Sequence, residues 1–140
     1  MKLCIFRYGE EGLLFALNHW GALYNLGLDH GWEPHGTYIT GLYAQTYEEG
    51  PFDANDPRFR KPYPDRKDGY FTGGGNEITE SDSKALAGAL RKALMAATID
   101  PPTCLLYQPM SSPEGTFFAG SSAVAMAAEF FDLPDPKYIM

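Results

Sequence analysis

An α+β fold, with a mostly antiparallel sheet of four to five strands and three helices packed on it, follows from three features of the sequence. Segments with a helical period alternate with short strand-like runs along the chain. The helical segments place their apolar residues on one face, as elements lying on a sheet require. The chain has 140 residues, the size of one domain, so a single α+β domain over 1–140 is expected.

Lys2 to Tyr8 reads as the first strand, with Leu3, Ile5 and Phe6 as strand formers, and Gly9-Glu10-Glu11-Gly12 as the turn that ends it. From about Phe15 to His30 the period becomes helical, because Leu17, Trp20, Leu23, Tyr24 and Leu28 recur at three- and four-residue steps. Gly31 suits the C-terminal cap, and Pro34 blocks continuation. Gly21 and Gly27 weaken that helix, and their retention predicts close approach of another backbone. Gly36 to Tyr43 alternates as a second strand.

Residues 44–68 carry no period but several prolines, many charges and irregularly spaced aromatics (Tyr47, Phe52, Phe59, Tyr63), so a long irregular loop is expected. Its aromatics argue against a solvated linker. Gly69 to Thr72 reads as a short strand and Gly73-Gly74-Gly75-Asn76 as a turn. The clearest helix spans Glu80 to Ala97, with Thr79 as N-cap, Asp82 as the return member of a variant capping box, and Leu86, Leu90 and Leu94 as a seam flanked by Ala89, Ala93 and Ala97. Pro101-Pro102 stops it. Thr103 to Gln108 and Thr116 to Ala119 are expected to pair as a hairpin across the turn Ser111 to Gly115. Ser121 or Ser122 caps a last helix to Asp132, with Val124, Ala127, Ala128 and Phe131 inward, and Leu133-Pro134-Asp135-Pro136 leads into a short tail.

Composition narrows the function classes. The formal charge is −7. Five cations (Arg58, Arg60, Lys61, Arg66, Lys67) against the single Asp65 give that decapeptide +4, which leaves −11 for the rest of the chain. Such a body repels phosphate backbones, so nucleic acid is not the expected partner, and it is compatible with a basic protein partner. No apolar run approaches the ~20 residues that cross a bilayer, and Leu3 to Phe6 is too short for a signal-peptide core. Cys4 and Cys104 lie in apolar strand-like surroundings that suit buried thiols in a reducing compartment, so a cytoplasmic location is expected.

No catalytic constellation emerges. The glycine turn before the long helix has the exposed N–H groups of an anion cradle, yet it lacks the Lys-Ser/Thr of a phosphate loop and is followed by Glu77, Glu80 and Asp82. His19 and His30 are ~16 Å apart along one helix; His30 and His35 flank a turn and could approach with Asp29 or Glu33, but their spacing matches no metal pattern. The cysteines have no adjacent base, and Gly120-Ser121-Ser122 reads as a helix cap. Glu10-Glu11 and Glu48-Glu49 stand in turns. No catalytic residue, metal or cofactor is therefore assigned. The most distinctive feature is the basic-aromatic stretch Arg58 to Lys67, whose composition suits phosphate contacts, base stacking or a protein interface.

One constellation resembles a known group. Asn18-x-Trp20, Gly31-Trp32-Glu33-Pro34-His35-Gly36-Thr37, Tyr70, Asn76, and Ile78-Thr79-Glu80-Ser81-Asp82 leading into Leu86-Ala87-Gly88-Ala89-Leu90 are similar to the "GW-x-P-x-GT … Y … N … (V/I)T-x-x-D … LA-x-AL" arrangement of small uncharacterised bacterial proteins. The similarity spans about residues 18 to 94. Asn76-Glu77 departs from it, since Asn-Asp-Gly is expected there. The resemblance implies scaffold roles and no reaction, with Trp20, Trp32, Tyr70 and Asn76 as residues that could line a shared surface.

The leading expectation is a non-enzymatic binding protein that recognises a protein partner or small ligand. An immunity-like protein or a phage-type inhibitor fits its size and charge. The residues expected to carry recognition are Trp32, His35, Arg58, Phe59, Arg60, Tyr63, Tyr70 and Asn76. The alternative is a small enzyme or nucleotide-binding domain that combines the Arg58–Lys67 loop with His35 or the glycine turn. A homodimer closed by the aromatic loop is a third reading.

Overall fold

A computed structural model describes residues 2–8, 10, 12–40, 61–96, 107–109 and 120–140 of the chain. It confirms an α+β architecture. The strands are β1 (Lys2–Phe6), β2 (Gly12–Ala16), β3 (Tyr38–Ile39), β4 (Lys61–Pro62), β5 (Asn76–Ile78), β6 (Tyr107–Pro109) and β7 (Lys137–Ile139), and the helices are α1 (Leu17–Asp29), α2 (Arg66–Gly69), α3 (Glu80–Met95) and α4 (Gly120–Asp132). The strands form one sheet in the order β4-β3-β5-β7-β1-β2-β6. Every neighbouring pair is antiparallel. The described residues thus hold seven strands and four helices, where four to five strands and three helices are expected from the sequence.

Register sorts the sheet into two faces. Leu3 lies opposite Phe15, Ile5 opposite both Leu13 and Ile139, and Asn76 opposite Ile139. Leu3, Ile5, Leu13, Phe15, Ile78 and Ile139 join the buried residues of α1, α3 and α4 in one core. Cys4 and Tyr138 alternate onto the other face and are buried as well, and burial pushes the Cys4 thiol up. Phe6 and Tyr138 meet there at 5.9 Å between ring centres.

Helix α3 starts at the expected cap, whereas α4 already begins at Gly120, so Ser121 and Ser122 stand inside its first turn and do not cap it. The Thr79 hydroxyl accepts the Asp82 N–H at 3.2 Å and starts α3. Leu86, Ala87, Leu90 and Ala93 of α3 and Ala123, Val124, Ala127, Ala128 and Phe131 of α4 are all buried, and these two helices make the most extensive helix contact. The small residues let the axes approach, and the Ser83 hydroxyl donates to the Phe131 carbonyl at 2.6 Å across them. At the rim, Arg91 pairs with Asp132 at 2.9 Å and holds that carboxyl below its usual range.

Helix α1 ends in a Schellman turn: Trp32 N–H donates to the Gly27 carbonyl at 2.9 Å and Gly31 N–H to Leu28 at 3.3 Å. Gly31 has φ +92, the left-handed geometry that closes this motif. Gly27 is closely approached by side chains and not by the backbone expected, since a Cβ there would stand 2.7 Å from Leu86 and 3.0 Å from the Trp32 ring, while Gly21 meets only Phe71 at 3.7 Å.

Five readings of the sequence are corrected. Gly12 to Ala16 is a strand paired to β1, not a turn running into a helix. Its residues are all buried or half-buried, so no polar alternation marks the period. Gly69 to Thr72 is not a strand: Gly69 ends α2 and Tyr70 and Phe71 turn the chain after it, and Asp65 caps α2 by accepting the N–H groups of Lys67 and Asp68, both at 2.9 Å. The strand lies instead at Asn76–Ile78, so Asn76 belongs to β5 and not to the glycine turn. The irregular stretch is consequently shorter than 44–68 at its C-terminal end, where β4 and α2 stand. The tail is also a strand: β7 sits between β5 and β1 in the middle of the sheet. Cys104, the hairpin partner Thr116 to Ala119 and residues 44–60 lie outside the described residues.

Lys137 explains why β7 does not read as a strand. A lysine at a fully buried central position contradicts the usual pattern. Its Nζ donates to the Leu133 and Asp135 carbonyls, each at 2.9 Å, closing the turn after α4, and it lies 5.7 Å from the Phe130 ring centre. Burial first, and Arg7 second, lower this amine from 10.5 to about 8. The same turn is held by Asp135, whose N–H donates to Glu80 at 2.7 Å and whose carboxylate pairs with Arg7 at 3.0 Å.

Candidate functional site

Between α1 and β3 the chain has no regular secondary structure, so its backbone groups need partners from elsewhere. They come from an aromatic and acidic cluster assembled by four elements. Helix α1 supplies Trp20 and Tyr24, the Schellman turn delivers Trp32, the end of α2 supplies Tyr70, and the first turn of α3 supplies Asp82. Tyr24 packs edge-on to Trp32 at 5.2 Å, and Tyr70 lies 5.5 Å from each of them. Phe71 and Trp20 close the cluster on the core side.

The polar side-chain atoms of Trp20, Trp32, Tyr70 and Asp82 each have a defined partner. Trp20 Nε1 donates to the Tyr70 carbonyl at 2.8 Å, and Trp32 Nε1 to the Asp82 carbonyl at 3.1 Å. The Tyr70 hydroxyl donates to Asp82 Oδ2 and accepts the Gly36 N–H at 3.0 Å. Asp82 Oδ1 accepts the His35 N–H at 3.2 Å and stands 3.4 Å from His35 Nδ1. Burial, then the bond to Asp82, pushes the Tyr70 hydroxyl far above its ordinary range, so it remains a donor at any physiological pH. Burial and the Asp82 charge raise Tyr24 as well. Asp82 is the pivot: a fully buried carboxylate whose partners all lie on the 32–36 segment or on Tyr70.

This arrangement corrects the role expected of Asp82. Thr79 caps α3, but the carboxylate does not reach back to complete a capping box; it turns to Tyr70 and His35. It also relocates the expected recognition residues. Trp32, Tyr70 and Asn76 are buried, so they do not line a surface. Asn76 Nδ2 donates to the Gly69 carbonyl at 3.1 Å and ties β5 to α2. Tyr63 is half-buried beside them, its N–H donating to the Thr37 carbonyl at 2.9 Å and its hydroxyl 3.5 Å from Thr72. His35 alone of this group points outward, its side chain 76% exposed. Arg58, Phe59 and Arg60 lie outside the described residues.

Glu33 and His35 are exposed, and so are Lys61, Pro62, Asp65, Arg66, Lys67 and Asp68 on the segment that meets residues 36–39 through β4, the Tyr63 N–H and the Arg66 stem. Arg66 was singled out in the sequence only as one of five cations, yet its stem lies over Gly36, with Cγ 3.5 Å from where a Cβ would stand. Gly36 has φ +107 and presents bare backbone to that stem. His30 Nδ1 lies 3.0 Å from the Leu26 carbonyl of its own helix. Among the described residues no group of three or more metal-ligating side chains converges, and no helix is long and apolar enough to cross a membrane.

Fold and site together define an antiparallel α+β scaffold with a cross-braced irregular segment on one side. No protein-family model, curated protein or solved structure matches the chain.

Proposed function

We propose that this chain is a recognition domain without catalytic activity, which binds a protein partner or small ligand on the rim formed by residues 33–36 and 61–68. One observation carries the reading: the polar side chains behind the rim are used internally, as braces that hold an irregular segment with His35 facing out. Loops fixed on a rigid scaffold are the usual carriers of binding residues, because preorganisation lowers the ordering cost of association. An immunity-like protein or a phage-type inhibitor fits a small acidic chain of this kind.

The test is capture from cells with the tagged full chain and with a Lys61→Glu/Lys67→Glu double variant, bound proteins and small molecules being read by mass spectrometry. Both lysines are exposed, so the melting temperature should not move. A species retained by the wild type and lost by the variant is the expected result. Identical captured sets would overturn the reading.

A small enzyme is the second reading, and a specific observation favours it. His35 Nδ1 lies 3.4 Å from a buried carboxylate, the relation that orients an imidazole for proton transfer. Turnover of any substrate that disappears in His35→Ala would replace the first reading with this one.

A further inference from the structure

We propose that β7 is an exchangeable strand: two copies of this chain trade it by straightening the turn Leu133–Pro136, and the Lys137 amine is the lock that keeps it in its own sheet. The inference is independent of the recognition reading, because it uses none of the residues at 33–36 or 61–68.

Strand β7 is bonded on both edges. Ile139 lies opposite Ile5 of β1 and Asn76 of β5, and Tyr138 lies opposite Phe6 and Glu77. Cys4 and Met140 exchange both backbone bonds, at 3.1 and 2.8 Å, and the Gly75 N–H donates to the Ile139 carbonyl at 2.7 Å. In the sheet order β5 and β1 meet only through β7. Withdrawing it opens a slot with two unpaired edges and empties the places of Tyr138 and Ile139, both buried. The occupant that restores all of these contacts is the same strand from a second copy, and exchange of identical elements is a low-cost route to a dimer.

The closed and exchanged forms differ at the turn, whose sequence favours the straight form. Leu133 and Asp135 each precede a proline, a position that prefers extended backbone, yet Asp135 stands at φ +78 before Pro136. A left-handed aspartate persists only where its surroundings hold it. Its N–H donates to Glu80 at 2.7 Å, and its carboxylate, 67% exposed, pairs with Arg7 at 3.0 Å. Exposed pairs of this kind hold weakly. Lys137 holds more firmly, since its Nζ donates to the Leu133 and Asp135 carbonyls and the residue is fully buried. Those acceptors lie four and two residues back in the same chain, so straightening the turn takes them away from a buried amine, which is costly. The clasp thus opposes the turn's own preference for extension.

The test uses the full chain with Met140→Cys, which sets a second thiol opposite Cys4 across a directly bonded pair, a spacing that suits a disulfide. Cys104→Ser removes the other native thiol. Oxidation then links β7 to β1 within one chain in the closed form and between two chains in the exchanged form, which a non-reducing gel separates. The protein is refolded from urea at a low and at an about hundredfold higher concentration, since exchange follows mass action. With Lys137 in place the covalent monomer should dominate at both. Lys137→Met keeps the apolar stem, removes the amine, and should raise the covalent dimer about tenfold or more at the higher concentration, the value of a charged hydrogen bond. Adding Pro134→Ala/Pro136→Ala should lower the dimer again. Deletion of Pro134 and Asp135 makes the turn too short to fold back and should give the covalent dimer with Lys137 present, which keeps the test decisive if Lys137→Met does not fold. A covalent monomer at the higher concentration in Lys137→Met or in the deletion variant, whichever folds, overturns the proposal. So does a dimer in solution that the gel resolves into monomers, because that marks a surface contact between closed chains.

Discussion

Replacing Tyr70 with Phe removes one oxygen from the fully buried centre of the brace. That hydroxyl donates to Asp82 and accepts the Gly36 N–H, so its loss leaves two buried groups short of a partner. The bond to a carboxylate is worth about 1.5–3 kcal/mol, and an unsatisfied buried N–H costs about 1–3 kcal/mol. The aromatic packing on Tyr24 and Trp32 survives, since the ring is kept. The expected loss is therefore about 3–5 kcal/mol, a third or more of what a domain of this size commonly has. Urea unfolding followed by tryptophan fluorescence measures it directly, because Trp20 and Trp32 both touch the mutated ring's neighbours. A double-mutant cycle with Asp82→Asn should show a coupling of about 1–3 kcal/mol. A loss below about 1 kcal/mol would mean that the hydroxyl does not organise the cluster, and the reasoning about the 32–36 segment would fail with it.

Lys137 sets an alkaline dependence of opposite kind to the usual loss of stability. Its amine titrates at about 8 in the folded chain against 10.5 when free, so between those values the unfolded chain binds a proton that the folded chain has released. Stability then rises with pH across that window, by at most about 3 kcal/mol, and Lys137→Met should flatten the rise; urea midpoints from about pH 7 to about pH 10 that are equally flat in the wild type would refute this. Gly27→Ala pushes a methyl against Leu86 at 2.7 Å and Trp32 at 3.0 Å. Although alanine favours helix, overpacking should win by about 1–3 kcal/mol in the same unfolding assay, and a stabilised variant would show that α1 and α3 are free to separate.

The long helices α1 and α3 were legible because they carry their own punctuation, whereas the single turn of α2 was not. Thr79, Gly31 and the Leu86–Leu90 seam act through local geometry, so their spacing is visible in one dimension. Strands β2 and β7 were not. Gly12 to Ala16 has no polar alternation because both faces are covered, and Lys137 hides in a central strand by handing its charge to two carbonyls. The site was half legible. Trp20, Trp32, Gly36, Tyr70, Asn76 and Asp82 all stand in the arrangement picked out from the sequence, and the structure brings them together. Their orientation was not readable, since whether a tryptophan or a tyrosine faces a ligand or a backbone carbonyl depends on contacts 50 residues apart, as for Trp20 with Tyr70 and Trp32 with Asp82.

The geometry also separates two properties that surface residues usually confound. Asp82 is joined to the core through Tyr70 and to the rim through His35, so it couples stability to the shape of the binding edge. Among the described residues, His35 is joined to the core through its backbone N–H and the near approach of its ring to that carboxylate. Removing the ring leaves the N–H bond in place, because any residue at 35 other than proline can make it. Removing the carboxylate strips partners from Tyr70 and His35 at once, and a buried hydroxyl without its acceptor is costly. If the rim is the working surface, substitutions at 35 should abolish binding in a chain that unfolds normally, whereas substitutions at 82 should weaken both together. Binding that survives at 35 but tracks stability at 70 and 82 would instead place the working surface elsewhere on the fold and leave the brace a purely structural knot.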